Sequence, residues 1–235
     1  MNICINIYGQ ERAMIYLNDT INQIKDNFNN FYILYTGWKT EEKIFENIFP
    51  ESFVIRYELE NDKIDYYEEK YKNIQIDDSN IHKSLRHVIT GYYIKKKCIS
   101  TLKKFYEKTN IKFDLIVTIR CDTIIYNNKK IDYKYILDNG LNNVYVPTEI
   151  DWNMYGVGAY AVTLSVGNYK NTKILCDHIN FLDVSVLPNT NIIHPETAIF
   201  LYYKYRNLNI KRLNLKSFAW VLDHNNNWIK QYNNE

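Results

Sequence analysis

Several features that mark common protein classes are missing from this sequence of 235 residues. Cysteine is scarce, with four residues and no CxxC or zinc-like spacing, which argues against a disulfide framework and favours a reducing compartment. No segment approaches the length of a membrane span, and the apolar start, Met1 to Tyr8, is too short for a signal peptide. We therefore expect a cytoplasmic protein with no transmembrane segment, which would contact a membrane only peripherally.

The sequence also lacks the motifs of several enzyme classes and any strong excess of one charge. There is no GxxxxGK[ST] phosphate loop, no HExxH zinc motif and no serine nucleophile elbow. The 29 basic residues nearly balance the 27 acidic residues, so the net charge of +2 does not indicate nucleic acid as a partner. Repeats and linkers rich in Pro, Gly or Ser are absent, which predicts a single domain over residues 1–235.

Short apolar runs alternate with longer segments that have apolar residues at helical spacing. The runs predict strands and the longer segments predict helices. This βαβ order is typical of an α/β fold with a Rossmann-like, mostly parallel sheet flanked by helices. The predicted strands of the first half are Ile3–Tyr8, Phe31–Tyr35 and Phe53–Tyr57, and the predicted helices are Glu11–Phe28 and a long helix that ends near Lys108.

Three stretches of this half are predicted to lie at the surface. Glu58–Asp78 is charged, rich in tyrosine and without core patterning, which indicates a loop. Thr36–Trp38 is expected to be the exit loop of the second strand. The run Lys95, Lys96 and Lys97 covers several directions of the long helix. We expect most of that run to be solvated, although one lysine could point toward a ligand.

The strand on which the functional interpretation depends is Leu115–Ile119, a continuous apolar run rich in β-branched residues. Such runs are buried on both faces, which predicts the centre of the sheet. Arg120 and Asp122 follow the strand, and on extended backbone their side chains share one face. Because open α/β sheets bind ligands beyond the carboxyl ends of their strands, the guanidinium could bind phosphate and the carboxylate could bind Mg2+ or Mn2+. The alternative is a structural ion pair that closes the strand.

Three motifs carry a resemblance to a known family: FDLIVTIRCD after a long helix, a first strand that ends in IYGQER, and HPETAIFLYYKY later in the chain. They resemble the small single-domain glycosyltransferases of GT-A fold found in bacterial polysaccharide loci and in large DNA viruses. The resemblance implies transfer of a sugar from a UDP- or GDP-linked donor to a glycan or other hydroxyl acceptor. It also implies that Asp122 binds Mn2+ or Mg2+ on the donor diphosphate. Arg120 stands where a strict DxD motif has its first Asp.

Candidate donor-binding residues come from several loops at the same edge of the predicted sheet. Gly9 would let the backbone approach a ligand, and Arg12 is available for a phosphate or a base unless the loop is a plain turn with a solvated arginine. Trp38 could stack on a base or cover the edge of the core. Arg86 could point toward the diphosphate. The full set for the donor is Tyr8, Gly9, Arg12, Trp38, Arg86 and Arg120.

Three further residues are candidates for the chemistry of transfer. If transfer inverts the anomeric carbon, a carboxylate must deprotonate the acceptor hydroxyl. Asp151, in the Pro147–Tyr160 loop, is the first choice, and Glu196 is the second, although a glutamate at a helix start also has an ordinary capping explanation. His224 could be a second metal ligand or a solvated tail residue. Retaining transfer needs no such base, and the sequence leaves both stereochemical outcomes open.

Two other functions compete with sugar transfer. A sugar nucleotidylyltransferase shares a Rossmann-like nucleotide-binding half, but it would want a glycine-rich loop after its first strand, and YGQER is poor in glycine. A GT-A fold could also be kept as a binding module without catalysis. Donor binding without turnover would distinguish that module from a transferase.

Overall fold

The apolar runs of the sequence form the strands of the structure, and the intervening segments form its helices. The computed structural model describes residues 1–11, 14, 16–39, 43–77, 84–125, 129–148, 163–215, 217–219, 221–222 and 228–229. In this part of the chain the strands are β1 (Asn2–Gly9), β2 (Asn30–Trp38), β3 (Phe53–Tyr57), β4 (Gln75–Ile76), β5 (Leu115–Arg120), β6 (Thr123–Ile125), β7 (Val144–Pro147), β8 (Leu164–Gly167), β9 (Ile192–Ile193), β10 (Ile210–Leu213), β11 (Ser217–Ala219), β12 (Val221–Leu222) and β13 (Trp228–Ile229). The helices there are α1 (Leu17–Ile24), α2 (Ile44–Ile48), α3 (Asn61–Lys70), α4 (Leu85–Thr109), α5 (Tyr133–Asn139), α6 (Tyr169–Cys176) and α7 (Pro195–Tyr205), with a 3-10 helical segment at His178–Ser185.

A seven-stranded sheet in the order β10-β7-β8-β5-β1-β2-β3 forms the centre of the fold. The pairs β1/β2, β2/β3, β1/β5 and β7/β10 are parallel, and β8 runs antiparallel to β5 and to β7. The prediction of a mostly parallel sheet is therefore confirmed, with β8 as its exception. The central position predicted for Leu115–Ile119 is also confirmed, because β5 lies between β1 and β8 and this run is almost fully buried.

Helices cover both faces of the sheet, and each face has its own apolar core. On one face, α1, α2 and α5 pack against side chains such as Ile5 and Val117. On the other face lie α3, α4, α6, the 3-10 segment and α7. The alternation of side chains along β1 and β5 sends successive residues to these two cores in turn, which is why both strands are buried on both faces and are mostly apolar.

The first helix is shorter than the pattern Glu11–Phe28 predicted, because the chain turns after Ile24. The carboxylate of Asp26 accepts hydrogen bonds from the backbone N–H groups of Phe28 and Asn29, at 2.8 and 2.9 Å. These bonds replace the helical pattern with a turn. The turn leaves the Phe28 side chain 92% exposed, so Phe28 does not belong to the core, whereas Ile24 is fully buried.

Two predicted surface segments belong instead to regular elements. Thr36–Trp38 continues β2 rather than forming an exit loop, and it pairs with β3 up to Tyr57. The segment Glu58–Asp78 contains α3 and β4, so the prediction of a loop is wrong. Its apolar stripe is narrow, with Ile64, Tyr67 and Tyr71 at helical spacing, and it packs on α4 among many exposed charged side chains.

The long helix α4 has caps at both ends that define its length. The Ser84 side chain accepts a hydrogen bond from the His87 backbone N–H at 3.2 Å, and Asn110 ends the helix in the left-handed conformation with φ of 57°. Within the described ranges, no helix combines the length and the apolar character needed to cross a membrane.

His178 is buried at the packing interface of α4, α7 and the 3-10 segment. Its Nε2 lies 2.8 Å from Ser185 Oγ, and its ring stacks on Tyr202 with 4.4 Å between ring centroids. Tyr92 contacts the ring from α4 with 4.5 Å between centroids. Burial, and then the charge of Lys95, lowers the pKa of His178 well below its ordinary value. We therefore expect the ring to be neutral in the folded protein.

This neutral histidine predicts a loss of stability in mildly acidic solution. As the pH falls below about 6.5, His178 takes up a proton in the unfolded chain but not in the folded protein. The unfolded state then binds more protons, so the free energy of unfolding falls by up to about 1.4 kcal/mol per pH unit. Urea unfolding of the wild type and of His178→Gln between about pH 7 and pH 5 should show a shallower slope for the variant. Equal slopes would contradict the assignment.

Candidate functional site

The predicted pair of charged residues lies at the carboxyl end of the central strand. Arg120 is the last residue of β5, and its Nη2 donates to Asp122 Oδ2 at 2.5 Å. The Arg120 side chain is 43% exposed, whereas the Asp122 side chain is only 7% exposed. The charge of Asp122 is the main reason that the pKa of Arg120 is raised. The guanidinium therefore faces partly toward solvent while it holds one oxygen of a nearly buried carboxylate.

The two oxygens of this carboxylate differ in their surroundings. Asp122 Oδ1 is buried and has no hydrogen-bond partner among the described residues. A buried carboxylate oxygen without a donor is unfavourable, and a hard cation or a hydrogen-bond donor would relieve it. The group thus has one oxygen for Arg120 and one oxygen available for a ligand.

Cross-strand bonds fix the backbone immediately before Asp122. Tyr8 lies opposite Arg120 in the parallel register of β1 and β5. The Cys121 backbone N–H donates to Tyr8 O at 2.9 Å, and the Cys121 thiol donates to Gln10 O at 3.0 Å. Burial raises the pKa of the Cys121 thiol, which keeps the donor proton in place. The ends of the two strands are therefore joined at the point where the candidate ligands emerge.

Gly9 allows this close approach of the two strand ends. Its φ is +129°, and a Cβ built on it would lie 2.6 Å from Cys121 Sγ. Its carbonyl accepts a hydrogen bond from the Tyr35 hydroxyl at 2.6 Å. Both the conformation and the contact require glycine at this position. This role is structural, and the predicted approach of a ligand to the Gly9 backbone stays a prediction.

A buried ion-pair network holds the loop that follows β1, and the sequence analysis did not identify it. Glu11 is 3% exposed, and one of its oxygens accepts from Arg56 Nε at 2.6 Å. The other oxygen accepts from the Phe45 backbone N–H at 3.2 Å. Arg56 also donates to both oxygens of Glu46, each at 2.5 Å. Glu11 thus attaches the YGQER loop to β3 and α2, and Arg12 is the next residue in the sequence.

Lys95 is a second cation beside the strand ends, and the prediction that the lysine run is mostly solvated fails for it. The residue is 3% exposed, and its Nζ lies 5.9 Å from the centroid of the Tyr8 ring. No ion pair or hydrogen bond joins it to the described residues. Burial lowers the pKa of Lys95, and the nearby charge of Arg120 acts in the same direction. Lys95 and Arg120 are therefore two cations close enough to influence each other, an arrangement that favours an anionic ligand.

The interior next to Lys95 is polar rather than purely apolar. Asn6, Thr118 and Ser165 lie opposite one another on β1, β5 and β8. All three are buried, and their side-chain polar atoms have no hydrogen-bond partner in the described part of the chain. Polar surroundings lower the free-energy cost of burying an ammonium group, which helps to explain why Lys95 is tolerated there.

The remaining described donor candidates occupy different positions. Trp38 ends β2 at the same edge of the sheet, where its indole stacks on Tyr93 with 6.1 Å between ring centroids. This contact makes Trp38 part of the edge of the core, and base stacking stays a prediction. Arg86 donates to Asp65 at 2.5 Å and to Glu68 at 2.8 Å, both on α3. These ion pairs hold its guanidinium against α3 in the described structure, and donor binding by Arg86 stays a prediction.

Three predicted residues, Arg12, Asp151 and His224, lie outside the described residues. For Glu196 the structure describes the backbone, which is in the first turn of α7, but not the side chain. Thr163 follows the segment that contains Asp151, and its carbonyl accepts from the Arg120 backbone N–H at 3.0 Å. Thr163, the first described residue after that segment, therefore lies beside the ion pair of Arg120 and Asp122.

The chemistry of the described residues fits a divalent cation with an incomplete protein coordination sphere. Among the described residues, no three His, Cys, Asp or Glu side chains cluster as a metal cage would require. Mg2+ is commonly bound by one or two carboxylates together with substrate phosphates, so a single free carboxylate oxygen suits it. Asp122 Oδ1 would supply that ligand, and His224 remains a predicted second ligand.

Comparison with solved structures defines the class of fold. An active-site mutant of LgtC superposes with a TM-score of 0.50 at 8% sequence identity, over 90% of this chain and 72% of LgtC. Weaker similarity is found to the glycosyltransferase GlyE of Streptococcus pneumoniae TIGR4, with a TM-score of 0.46, 12% identity and coverage of 90% of this chain and 44% of GlyE. Mouse xyloside xylosyltransferase 1 gives a TM-score of 0.45, 10% identity and coverage of 90% and 84%. No protein-family model matches the sequence, and no curated protein sequence matches it.

The fold is therefore that of the GT-A glycosyltransferases. The likeness to LgtC and the mostly parallel seven-stranded sheet flanked by helices agree on this class. The α/β GT-A fold expected from the sequence is confirmed, as a single-domain architecture. At this level of identity the likeness concerns the fold, and the chain spans less than half the length of GlyE.

The geometry at Gly9 predicts opposite effects of the same substitution at two glycines. Gly9→Ala should lower the free energy of unfolding by about 1–3 kcal/mol, because alanine is strained at this φ and its Cβ meets Cys121. Gly91→Ala, at an exposed position of α4, should raise it by about 0.5–1 kcal/mol, since no atom lies within 4 Å of the added Cβ. Chemical denaturation of both variants tests the pair. A stabilising Gly9→Ala would show that the strand ends are not as close as described.

Proposed function

We propose that the protein is a glycosyltransferase that uses a UDP- or GDP-linked sugar donor and a glycan or other hydroxyl acceptor, assisted by Mn2+ or Mg2+. The observation that carries the proposal is the position of Asp122. Its carboxylate follows the central strand of a GT-A sheet at the ligand-binding edge, with one buried oxygen unsatisfied among the described residues. LgtC, which shares the fold, is described as a galactosyltransferase in complex with donor and acceptor sugar analogues. For this chain the donor and the acceptor are part of the proposal.

In the proposed reaction the bond between the anomeric carbon and the donor phosphate oxygen breaks. A bond from the acceptor hydroxyl oxygen to that carbon forms, and the nucleoside diphosphate leaves with the bonding electron pair. A divalent ion, when bound, would supply positive charge to the departing diphosphate. Asp122 would hold this ion through Oδ1, while Arg120 and Lys95 would contribute their own charges to the diphosphate. Arg12, the last residue of YGQER, would lie at the same edge.

The acceptor proton requires a base if transfer inverts the anomeric carbon. Asp151 is the first proposal, and the direction of β7 supports it, because β7 runs parallel to β5 and ends at Pro147, shortly before Asp151 in the sequence. Glu196 is the second, since α7 leads into β10 and its first turn therefore points toward the carboxyl edge of the parallel strands. Retaining transfer would need neither residue as a base. Cytoplasmic location and peripheral membrane contact belong to the same proposal.

Asp122→Asn tests the metal role directly. The substitution keeps the size of the side chain and removes its charge, so the Mn2+-dependent hydrolysis of a responsive nucleotide sugar should fall by about 100-fold or more. A panel of UDP- and GDP-sugars with and without Mn2+ identifies the donor, with released nucleoside diphosphate as the readout. Asp114→Asn is the matched control. Asp114 accepts a bond from the Asn2 backbone N–H at 2.8 Å, just before β5 at the opposite end from Asp122, and its variant should keep wild-type activity.

The outcome also separates the alternative functions. An unchanged rate in Asp122→Asn would remove this residue from the ligand role, and no response to any donor would contradict the transferase proposal. Release of pyrophosphate from a nucleoside triphosphate and a sugar phosphate would instead indicate a nucleotidylyltransferase. Tight donor binding with no turnover would indicate a binding module.

Lys95→Met should have opposite effects on stability and on donor binding. Removing an ammonium group that is buried without a carboxylate partner in the described structure should raise the free energy of unfolding by about 1 kcal/mol or more. The same change should weaken binding of UDP or GDP in the presence of Mn2+ by roughly tenfold, because one of two cations near the diphosphate is lost. Thermal unfolding and isothermal titration calorimetry measure the two effects.

The control for this pair of measurements is Lys103→Met on the same helix. The Lys103 side chain is 72% exposed, so its removal should change neither stability nor nucleotide affinity appreciably. If Lys95→Met bound nucleotide with wild-type affinity, the lysine would have no part in the donor site. If it destabilised the fold, Lys95 would be a structural residue.

A further inference from the structure

A cavity of about 340 Å³ lies between α1 and β6, beside the candidate donor site but separate from it. Its volume is at the lower end of the range found for small-ligand pockets. It opens on the face of the sheet that α1 covers, whereas Lys95 lies on the face that α4 covers. The lining residues are Tyr16, Asp19, Thr20, Asn22, Gln23, Ile124 and Ile125.

The cavity is joined to the tip of the central strand by a buried hydrogen bond. Thr20 Oγ1 donates to the carbonyl of Thr123 at 2.7 Å, and Thr123 directly follows Asp122. α1 also comes after the carboxyl end of β1, so its first turns lie toward the edge of the sheet at which ligands bind. A ligand in the cavity would therefore lie next to Asp122 on the side opposite α4.

The lining combines the groups that bind neutral carbohydrates. Tyr16 is 40% exposed and offers an aromatic ring, while Ile124 and Ile125 add apolar surface for the C–H groups of a sugar. Asp19 and Asn22 are exposed at the cavity and can form hydrogen bonds with vicinal hydroxyls. Asp19 is the charged group among the described lining residues, and its carboxylate would repel a phosphate or a nucleotide.

We propose that this cavity binds a sugar unit of the acceptor glycan, next to the position at which the donor sugar is transferred. The proposal rests on the glycosyltransferase function proposed above, since it names the acceptor as a carbohydrate and gives it a subsite. Asp19 and Asn22 select hydroxyl groups, and Tyr16 supports the ring of the sugar. The occupant is a neutral oligosaccharide rather than the nucleotide.

Binding of short oligosaccharides, measured without any need for turnover, tests the subsite. Lactose, maltotriose, chitotriose and mannotriose are added to the full-length ¹⁵N-labelled protein, with and without UDP and Mn2+, and amide shifts are recorded. At least one oligosaccharide should shift resonances of α1 and β6 at millimolar concentration. Asn22→Ala and Tyr16→Ala should each weaken that binding by about tenfold. Asn73→Ala, an exposed asparagine in the turn after α3 on the other face of the sheet, should leave it unchanged.

Several outcomes would overturn the subsite. These are the absence of any shift with all four oligosaccharides in both conditions, wild-type affinity in both Asn22→Ala and Tyr16→Ala, or nucleotide-induced shifts that map to this cavity. Failure of the subsite is distinguishable from failure of the transferase function. Oligosaccharide binding here without any donor turnover would support the subsite and contradict the transferase proposal. Donor turnover that depends on Asp122, with no oligosaccharide binding at the cavity, would support the transferase proposal and contradict the subsite.

Discussion

The parallel pairing of β1 with β5 is the constraint on which the site depends. It brings Tyr8 opposite Arg120, although these residues are far apart in sequence, and Cys121 then bonds back to the β1 side through its N–H and its thiol. A shift in register by one residue would move every side chain of this buried strand to the opposite face of the sheet. The position of Asp122 is therefore determined by the core of the protein and not by a loop that is free to move.

Several unfavourable groups are concentrated where that constraint acts. Lys95 is buried with no carboxylate partner in the described structure, and Asp122 Oδ1 has no hydrogen-bond donor there. Groups of this kind reduce stability, and proteins tolerate them most readily at functional sites. In the proposed complex each of these groups would have a partner of opposite charge. A diphosphate would face the Lys95 ammonium group, and a divalent ion would face the Asp122 carboxylate.

Local patterns in the sequence were sufficient for the central strand and for the class of fold, but not for every contact in the site. The apolar run of β5 has no competing interpretation, whereas α3 has only two buried residues, Ile64 and Tyr67, among many charged ones. Lys95 lies in the apolar stripe of α4, three residues after Tyr92 and three before Cys98, so spacing alone could have indicated that it is buried. The pairing of Glu11 with Arg56 joins residues 45 positions apart and has no local signal. Long-range ion pairs of this kind follow from strand order, which the sequence pattern does not specify.

The central claim is that Asp122 is presented to a metal-bound diphosphate at the tip of β5. A crystal structure of the protein with UDP or GDP and Mn2+ tests it most directly. The account predicts anomalous density for the ion about 2.1 Å from an Asp122 carboxylate oxygen, with phosphate oxygens completing its coordination and Lys95 and Arg120 nearby. An ion and nucleotide bound elsewhere, with Asp122 paired only to Arg120, would contradict the account.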